Sequence, residues 1–355
     1  MGADRRALAR GLAALPLAAP SLAGCAALPR MPFQRRGGVT EAVFGTLASG
    51  ETVRLFTLTN DRGSTARIMT WGAALQSLTM PDRVGRHAEM VLGLDTLEDY
   101  VARSRNFGTT VGRYAGRIEN GRFQLDGRTI QLDGGNGPRR ARGGPVGFAK
   151  RSWSGRADDT AEGPGVTLTL VSVDGDQGFP GRLTMSITYR LTHDDRLTLD
   201  YLALTDAPTV LNPTHHSYFN LSGDPTQAVT GTPFDFREAK PLGRDMTADD
   251  EQLRFGGGYD HSFAVRGEGL RRAGRLSHAD SGRSLEVWTT EPALHVYAAN
   301  TVELIGRGGA AYRPYCGVAL ETQHYQNSPN RPEFASTVLR PGETFRSRTE
   351  YRFGT

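Results

Sequence analysis

Two adjacent histidines, His215 and His216, carry the side chain best suited to moving protons near neutral pH. They lie in the stretch Leu-Asn-Pro-Thr-His-His-Ser-Tyr-Phe-Asn-Leu-Ser-Gly, residues 211–223, which follows an alternating apolar run. This context predicts a strand, on which adjacent side chains point to opposite faces. One imidazole can then act as an acid or base in a pocket, while the other faces the packed side. A buried, hydrogen-bonded structural pair is the alternative for both.

Two carboxylates stand in comparable settings. Glu321 follows an apolar strand end in Val-Ala-Leu-Glu-Thr-Gln-His-Tyr, residues 318–325. A carboxylate there is partly desolvated and can serve as a base, although structural pairing is the alternative. Asp260 ends the glycine-rich stretch Phe-Gly-Gly-Gly-Tyr-Asp, residues 255–260. It can bond a ligand hydroxyl or cap the turn.

Two further stretches combine glycine with arginine. In residues 106–118 the glycines allow close ligand approach, while Arg113 and Arg117 supply fixed donors; a solvated loop is the alternative. Residues 136–148 form a loop by composition, and its arginines, Arg142 among them, are surface charge by default. No Cys-x-x-Cys, His-x-His or His-x-x-x-His motif is present, so we expect no catalytic metal.

Strands must position these residues, because alternating apolar runs recur from about residue 41 onward. Asp126-Gly127 between two such runs predicts a hairpin. A single short helix is predicted at 96–103, with Thr96 as its N-cap. With 355 residues and little helix, the chain is predicted to be all-β, with one large antiparallel sandwich or barrel over residues 41–355. Two sandwiches in tandem are the alternative.

The first 24 residues are predicted to be an export signal. Arg5, Arg6 and Arg10 precede an Ala/Leu/Pro segment that is too short for a permanent transmembrane helix. The ending Leu-Ala-Gly-Cys resembles a bacterial lipobox and predicts a lipidated Cys25; an ordinary cleaved signal is the alternative. Residues 25–40 are predicted to be a tether. We therefore expect a lipid-anchored protein of the periplasm or cell envelope.

The charge and the cysteine content of the chain exclude some classes of partner and of covalent cross-link. The 42 Lys and Arg against 38 Asp and Glu leave a net charge of +4, without a basic run interleaved with aromatics beyond the N-terminus. This argues against nucleic-acid binding. Cys25 and Cys316 are the only cysteines, so lipidation of the first excludes a disulfide framework.

An ordered set of motifs closely resembles the aldose 1-epimerase (galactose mutarotase) family from about residue 45 to 353. Each motif alone is weak, but their order and separations are family-like. They are Phe-Gly-Thr-Thr-Val-Gly-Arg-Tyr (107–114), Gly-Arg-Phe-Gln-Leu-Asp-Gly (121–127), Thr-His-His-Ser-Tyr-Phe-Asn-Leu (214–221), Thr-Pro-Phe-Asp-Phe-Arg (232–237), Gly-Gly-Tyr-Asp-His (257–261), Leu-Glu-Thr-Gln-His (320–324) and Leu-Arg-Pro-Gly-Glu (339–343).

The resemblance implies a large antiparallel β-supersandwich and a reaction, the interconversion of the α and β anomers of a free aldose without a cofactor. It implies that Glu321 is the base at the C1 hydroxyl and that His216 is the acid at the ring oxygen. Arg117 and Asp260 are implied to bind the substrate, so the expected partner is a small-molecule sugar, and the expected state is a monomer or weak dimer. His215 stands where the family commonly has asparagine and is less suited to do chemistry.

Three positions depart from the family pattern. Arg142 replaces a usual second active-site histidine, Gly116 replaces an asparagine before Arg117, and His295 stands where glutamine is common. We expect Arg142 and His295 to line the substrate site. Arginine keeps a donor but does not titrate. A mutarotase specialised for an acidic sugar, a non-catalytic sugar-binding lipoprotein, and a polysaccharide lyase or hydrolase on the same fold are the alternatives.

Overall fold

The computed structural model describes residues 37–133, 140–141, 143–229, 234–235, 239–241 and 258–355. The predicted export signal, Cys25 and Arg142 lie outside these ranges. The first strand begins at Gly38, so residues 38–40, which were predicted to end the tether, instead pair with residues 57–59. The glycines at this point concealed the backbone pairing because they have no side chain to alternate.

Antiparallel strands make up most of the regular structure in the described ranges, as the alternating patterns predicted. In chain order they are β1 (Gly38–Thr46), β2 (Thr52–Thr59), β3 (Thr65–Met69), β4 (Ala74–Pro81), β5 (His87–Glu89), β6 (Thr109–Val111), β7 (Arg117–Ile118), β8 (Arg122–Leu125), β9 (Arg128–Gln131), β10 (Arg140–Ala141), β11 (Ser154–Ala157), β12 (Gly165–Ser172), β13 (Leu183–Leu191), β14 (Arg196–Thr205), β15 (Thr209–Val210), β16 (Thr214–His216), β17 (Tyr218–Phe219), β18 (Phe234–Asp235), β19 (Ala239–Pro241), β20 (Asp260–Val265), β21 (Arg271–Ser277), β22 (Ser284–Thr289), β23 (Ala293–Tyr297), β24 (Leu304–Ile305), β25 (Ala311–Tyr312), β26 (Val318–Gln323), β27 (Val338–Leu339) and β28 (Phe345–Gly354).

Helix is scarce among the described residues. The α-helix Leu97–Arg103 begins after Thr96, whose hydroxyl accepts a hydrogen bond from the Asp99 amide at 3.2 Å, so the predicted helix and N-cap are confirmed. Single 3-10 turns occur at Glu119–Gly121, Phe148–Lys150, Asp176–Gly178, Arg307–Gly309 and Ser328–Asn330. No helix in these ranges has the length and apolar character needed to cross a membrane.

Three large sheets organise the strands. The first contains β1 to β5 in sequence order, and the second has eight strands in the order β11-β12-β13-β14-β28-β22-β21-β18. The third has the order β17-β26-β23-β20-β19. Two-stranded pairs complete the topology: β16 with β6, β7 with β10, β8 with β9, β15 with β27, and β24 with β25. The β8–β9 pair is the hairpin predicted at Asp126-Gly127.

All three large sheets contribute to one apolar core. It includes Phe56 and Ile68 of the first sheet, Leu168, Ile187 and Leu199 of the second, and Val296 and Leu320 of the third. Burying each such side chain stabilises the fold by about 1.5–3 kcal/mol. The shared core makes the molecule a sandwich, so the predicted all-β antiparallel sandwich is confirmed.

The third sheet has two unlike faces. The register places Ser262, His295 and Glu321 in one row across β20, β23 and β26. Side chains of such partners share a face, and the next residue along each strand points to the other face. Phe263, Leu294 and Leu320 accordingly enter the core, on the opposite side from that row. Polar groups are thereby gathered on the face turned away from the apolar core.

Candidate active site

Glu321, on this polar face, lies against His216 of β16. Glu321 Oε1 lies 3.3 Å from His216 Nε2, and the two side chains are 6% and 0% exposed. This distance exceeds the roughly 2.7–2.9 Å of a tight charge-assisted hydrogen bond. The arrangement places a carboxylate and an imidazole in contact, away from bulk water, where a proton can pass to or from a third group.

Strand β16 holds His216 against β26 by contacts on either side of it. The Thr214 hydroxyl donates to the Thr322 carbonyl at 3.0 Å, and Tyr218 pairs with Ala319 in the sheet. On its other side His216 is the register partner of Thr109 in β6. The backbone around His216 is therefore fixed at three points, which sets the imidazole toward Glu321.

His215 faces the other side, as the strand prediction requires. Its Nδ1 lies 3.2 Å from the Tyr189 hydroxyl and its Nε2 lies 2.6 Å from Ser217 Oγ. The Tyr189 hydroxyl donates to the Ala73 carbonyl at 2.8 Å, so it accepts from Nδ1–H, and Nε2 accepts from Ser217. Burial lowers the pKa of His215 to about 3. This imidazole stays neutral near pH 7 and is a structural group.

A second polar cluster lies beside the buried pair. His295 Nε2 is 3.1 Å from Asp260 Oδ1, and Arg117 Nη2 is 3.7 Å from Asp260 Oδ2. The Ser262 hydroxyl lies 2.9 Å from His295 Nδ1. The side chains of Asp260 and Arg117 are 41% and 45% exposed, whereas that of His295 is 8% exposed. The cluster thus presents charged donors and acceptors to solvent next to the buried Glu321–His216 pair.

Arg113 does not join this cluster, contrary to the interpretation of Arg113 as a donor to a ligand. It is 1% exposed, and its guanidinium donates to the carbonyls of Pro180 and Gly181 at 2.8 and 2.9 Å and to Ser172 Oγ at 2.6 Å. Burial lowers its pKa to about 10. The cis peptide bond between Gly112 and Arg113 precedes this buried side chain. Arg113 therefore joins loops of the fold rather than holding a ligand.

Two polar residues beside His295 were not predicted from the sequence. Ser262 is two positions after Asp260, so a period of two along β20 could have placed it on the same face. Gln326 lies beyond the end of β26, with its Nε2 3.5 Å from His295 Nδ1. No local pattern in the turn Tyr-Gln-Asn-Ser-Pro could have identified it.

The cluster has polar groups suited to binding hydroxyls, and the buried Glu321–His216 pair lies beside it. Within the described ranges, no group of three or more His, Cys, Asp or Glu is arranged to hold a metal ion. Arg142, expected on the sequence to line the substrate site, lies outside the described residues. The carboxylate–imidazole pair and the polar cluster together suit proton transfer at a polyhydroxylated ligand.

Comparison with known proteins agrees with this chemistry. Residues 54–352 match the family described as aldose 1-epimerase. The aldose 1-epimerase of Escherichia coli K12 is 38% identical over 336 residues, which are 86% of this chain and 96% of that protein. The human galactose mutarotase is 36% identical over 347 residues, which are 89% of this chain and 98% of that protein.

Solved structures give the same picture of the fold. A galactose 1-epimerase from Lactobacillus acidophilus NCFM superposes with a TM-score of 0.75 at 25% identity, covering 90% of this chain and 99% of that chain. An aldose epimerase homologue from C. elegans has a TM-score of 0.74 at 26% identity, with the same coverage of 90% and 99%.

Proposed function

The chain belongs to the aldose 1-epimerase family and is a mutarotase, and we propose that Glu321 and His216 are the pair with which it moves protons. The observation that carries this assignment is the 3.3 Å contact between Glu321 Oε1 and His216 Nε2, both withdrawn from solvent. A base and an acid must reach two neighbouring oxygens of one sugar, the C1 hydroxyl and the ring oxygen. Groups in mutual contact satisfy that requirement.

The proposed reaction conserves every atom of the sugar. Glu321 accepts the proton of the C1 hydroxyl while protonated His216 donates a proton to the ring oxygen, and the bond between C1 and the ring oxygen breaks. The open-chain aldehyde turns about the C1–C2 bond. Ring closure reverses both transfers: His216 takes the proton of the attacking hydroxyl and Glu321 returns its proton to the carbonyl oxygen. The product is the opposite anomer.

The cluster of Asp260, Arg117 and His295 is proposed to hold the sugar during this turn. Asp260 can accept hydrogen bonds from ring hydroxyls, and Arg117 and His295 can donate to them. Because the cluster lies beside the buried pair, it can fix one end of the sugar while C1 rotates. Mammalian relatives carry the name galactose mutarotase, so a hexose, with galactose as the first candidate, is the proposed substrate.

A rate measurement tests the assignment. Purified protein is added to freshly dissolved α-galactose or α-glucose, and optical rotation is followed against buffer. We expect acceleration that Glu321→Gln abolishes. The matched control is Glu291→Gln, which alters a second Glu–His pair, Glu291 and His324 at 2.8 Å, and should retain the rate. If the protein does not accelerate mutarotation of any sugar in a panel of neutral and acidic aldoses, the assignment is wrong.

We also propose that the protein is exported and anchored to the cell envelope by a lipid on Cys25. The support is the basic start of the chain, the Ala/Leu/Pro segment and the Leu-Ala-Gly-Cys ending. Membrane fractionation of cells that express the wild type and Cys25→Ser tests this. The variant should leave the membrane fraction, and unchanged fractionation would contradict the anchor.

A further inference from the structure

The Gln326 side chain packs against Gly116 at the edge of the polar cluster of Asp260, Arg117 and His295. Gly116 has φ +76°, in the left-handed region, and a Cβ built on it would lie 2.9 Å from Gln326 Cγ and 3.5 Å from Gln326 Cδ. The Gln326 side chain therefore occupies the space that a side chain at position 116 would fill. Gly116 directly precedes Arg117 of the cluster, so this space borders the proposed sugar site.

The backbone brings these two segments together independently of their side chains. The Asn327 amide donates to the Arg117 carbonyl at 2.8 Å, which ties the turn after β26 to the start of β7. Glu321 lies on that same β26 strand. The turn that carries Gln326 therefore follows the strand of the proposed base and is hydrogen-bonded to the proposed sugar-binding arginine.

The carboxamide of Gln326 is directed toward the cluster. Its Nε2 is 3.5 Å from His295 Nδ1, which the Ser262 hydroxyl approaches more closely, at 2.9 Å. Among the described residues, the Gln326 amide has no shorter side-chain partner. An amide held at the limit of hydrogen-bonding distance can turn to a ligand at little cost, and it offers both a donor and an acceptor.

We propose that Gln326 is a substrate-binding residue that contacts a ring hydroxyl of the aldose, in the place opened by the missing side chain at Gly116. The inference rests on the proposed location of the sugar beside Asp260 and His295. It assigns to Gln326 a share of the selectivity among epimeric and deoxygenated sugars. The chemistry of ring opening remains with the buried pair.

Deoxy sugars test this contact by a thermodynamic cycle. KM and kcat are measured for wild type and Gln326→Leu with glucose, galactose and the 2-, 3-, 4- and 6-deoxyglucoses. We expect Gln326→Leu to raise KM about three- to tenfold, as for a lost hydrogen bond, with kcat nearly unchanged. For the deoxy sugar that lacks the contacted hydroxyl, Gln326→Leu and wild type should have the same KM. An unchanged KM, or an equal increase for every sugar, would overturn the proposal.

Moving the carboxamide from position 326 to position 116 provides a second test. Asparagine tolerates the left-handed backbone of position 116, and its carboxamide would enter the space vacated in Gln326→Ala. Gly116→Asn with Gln326→Ala should therefore return KM toward the wild-type value. Gly116→Ala with Gln326→Ala is the matched control, since it adds a Cβ without an amide and should not recover. Equal KM values for the two double variants would count against a contact by the amide.

Binding measurements separate this inference from the mutarotase mechanism. Calorimetric titration of galactose into Glu321→Gln, and into Glu321→Gln with Gln326→Leu, requires no turnover. Weaker binding by the second protein supports the Gln326 contact even if the assigned base is wrong. Equal binding by the two proteins contradicts the contact, whatever the rates show.

Discussion

His295 and Glu321 are register partners on the neighbouring strands β23 and β26, so their side chains lie side by side on the polar face of the third sheet. The same row continues to Ser262 on β20. A sugar held by the His295–Asp260 pair is therefore one strand away from the proposed base. Neighbouring strands lie about 4.7–4.9 Å apart, so one small ligand can contact side chains of both.

Replacing His216 by asparagine should slow the chemical step. General acid–base groups contribute about 10²–10⁴-fold to rate, so we expect His216→Asn to lower kcat by that amount with a much smaller effect on KM. Polarimetry with α-galactose measures both constants. His324→Asn, at the other His–Glu pair, is the control and should keep its kcat. A His216→Asn variant with wild-type kcat would remove His216 from the mechanism.

Asp260→Asn should weaken substrate binding. Hydrogen bonds to a charged group contribute about 1.5–3 kcal/mol, so we expect KM to increase by about 10- to 100-fold. Asp126→Asn is the matched control, because Asp126 is similarly exposed (48%) and pairs with Arg340 at 2.8 Å outside the site. The two KM values are compared by the same polarimetric assay. Equal KM values for the two variants would contradict a sugar contact by Asp260.

His215 should make the fold sensitive to mild acid. Its pKa is about 3 when folded, against 6.5 for the ordinary side chain. Between these values the unfolded chain binds a proton that the folded chain does not, so this stabilisation, complete above pH 6.5, is lost as pH falls toward 3. The free energy of unfolding therefore falls by at most about 1.4 kcal/mol per pH unit through this one group.

Urea unfolding of wild type and His215→Asn at pH 7, 6, 5 and 4 measures this dependence. The variant should be less stable at pH 7, because it loses packing and hydrogen bonds, but its free energy of unfolding should change less with pH. Parallel pH dependences for the two proteins would show that His215 is not the responsible group.

Arg113→Lys should reduce stability without a specific effect on substrate binding. Lysine cannot reproduce the forked donors that reach Pro180, Gly181 and Ser172, so buried acceptors lose their partners. We expect a loss of about 2–4 kcal/mol in the free energy of unfolding, measured in urea, and an unchanged KM. Arg340→Lys, on the surface, should cost less than about 1 kcal/mol. If Arg113→Lys has a much higher KM but the free energy of unfolding of the wild type, Arg113 binds substrate after all.

The local features of the chain were predictable because their causes are local. The helix after Thr96 follows from a hydroxyl that caps its first turn, and the β8–β9 hairpin follows from Asp126-Gly127 between alternating runs. The opposite environments of His215 and His216 follow from the alternation of a strand. The candidate residues Glu321 and His216 were identified by residue type and by family-like motifs.

By itself, the sequence determined the all-β class and the positions of many of the longer strands, since these depend on short-range periodicity, and it supplied the residue types available for proton transfer. Only the tertiary structure decided that Glu321 Oε1 lies 3.3 Å from His216 Nε2, that Arg113 is buried among loops, and that Gln326 fills the space above Gly116. Each of these contacts joins segments remote in the chain. They depend on how the sheets pair and pack around a shared core, which no local pattern encodes.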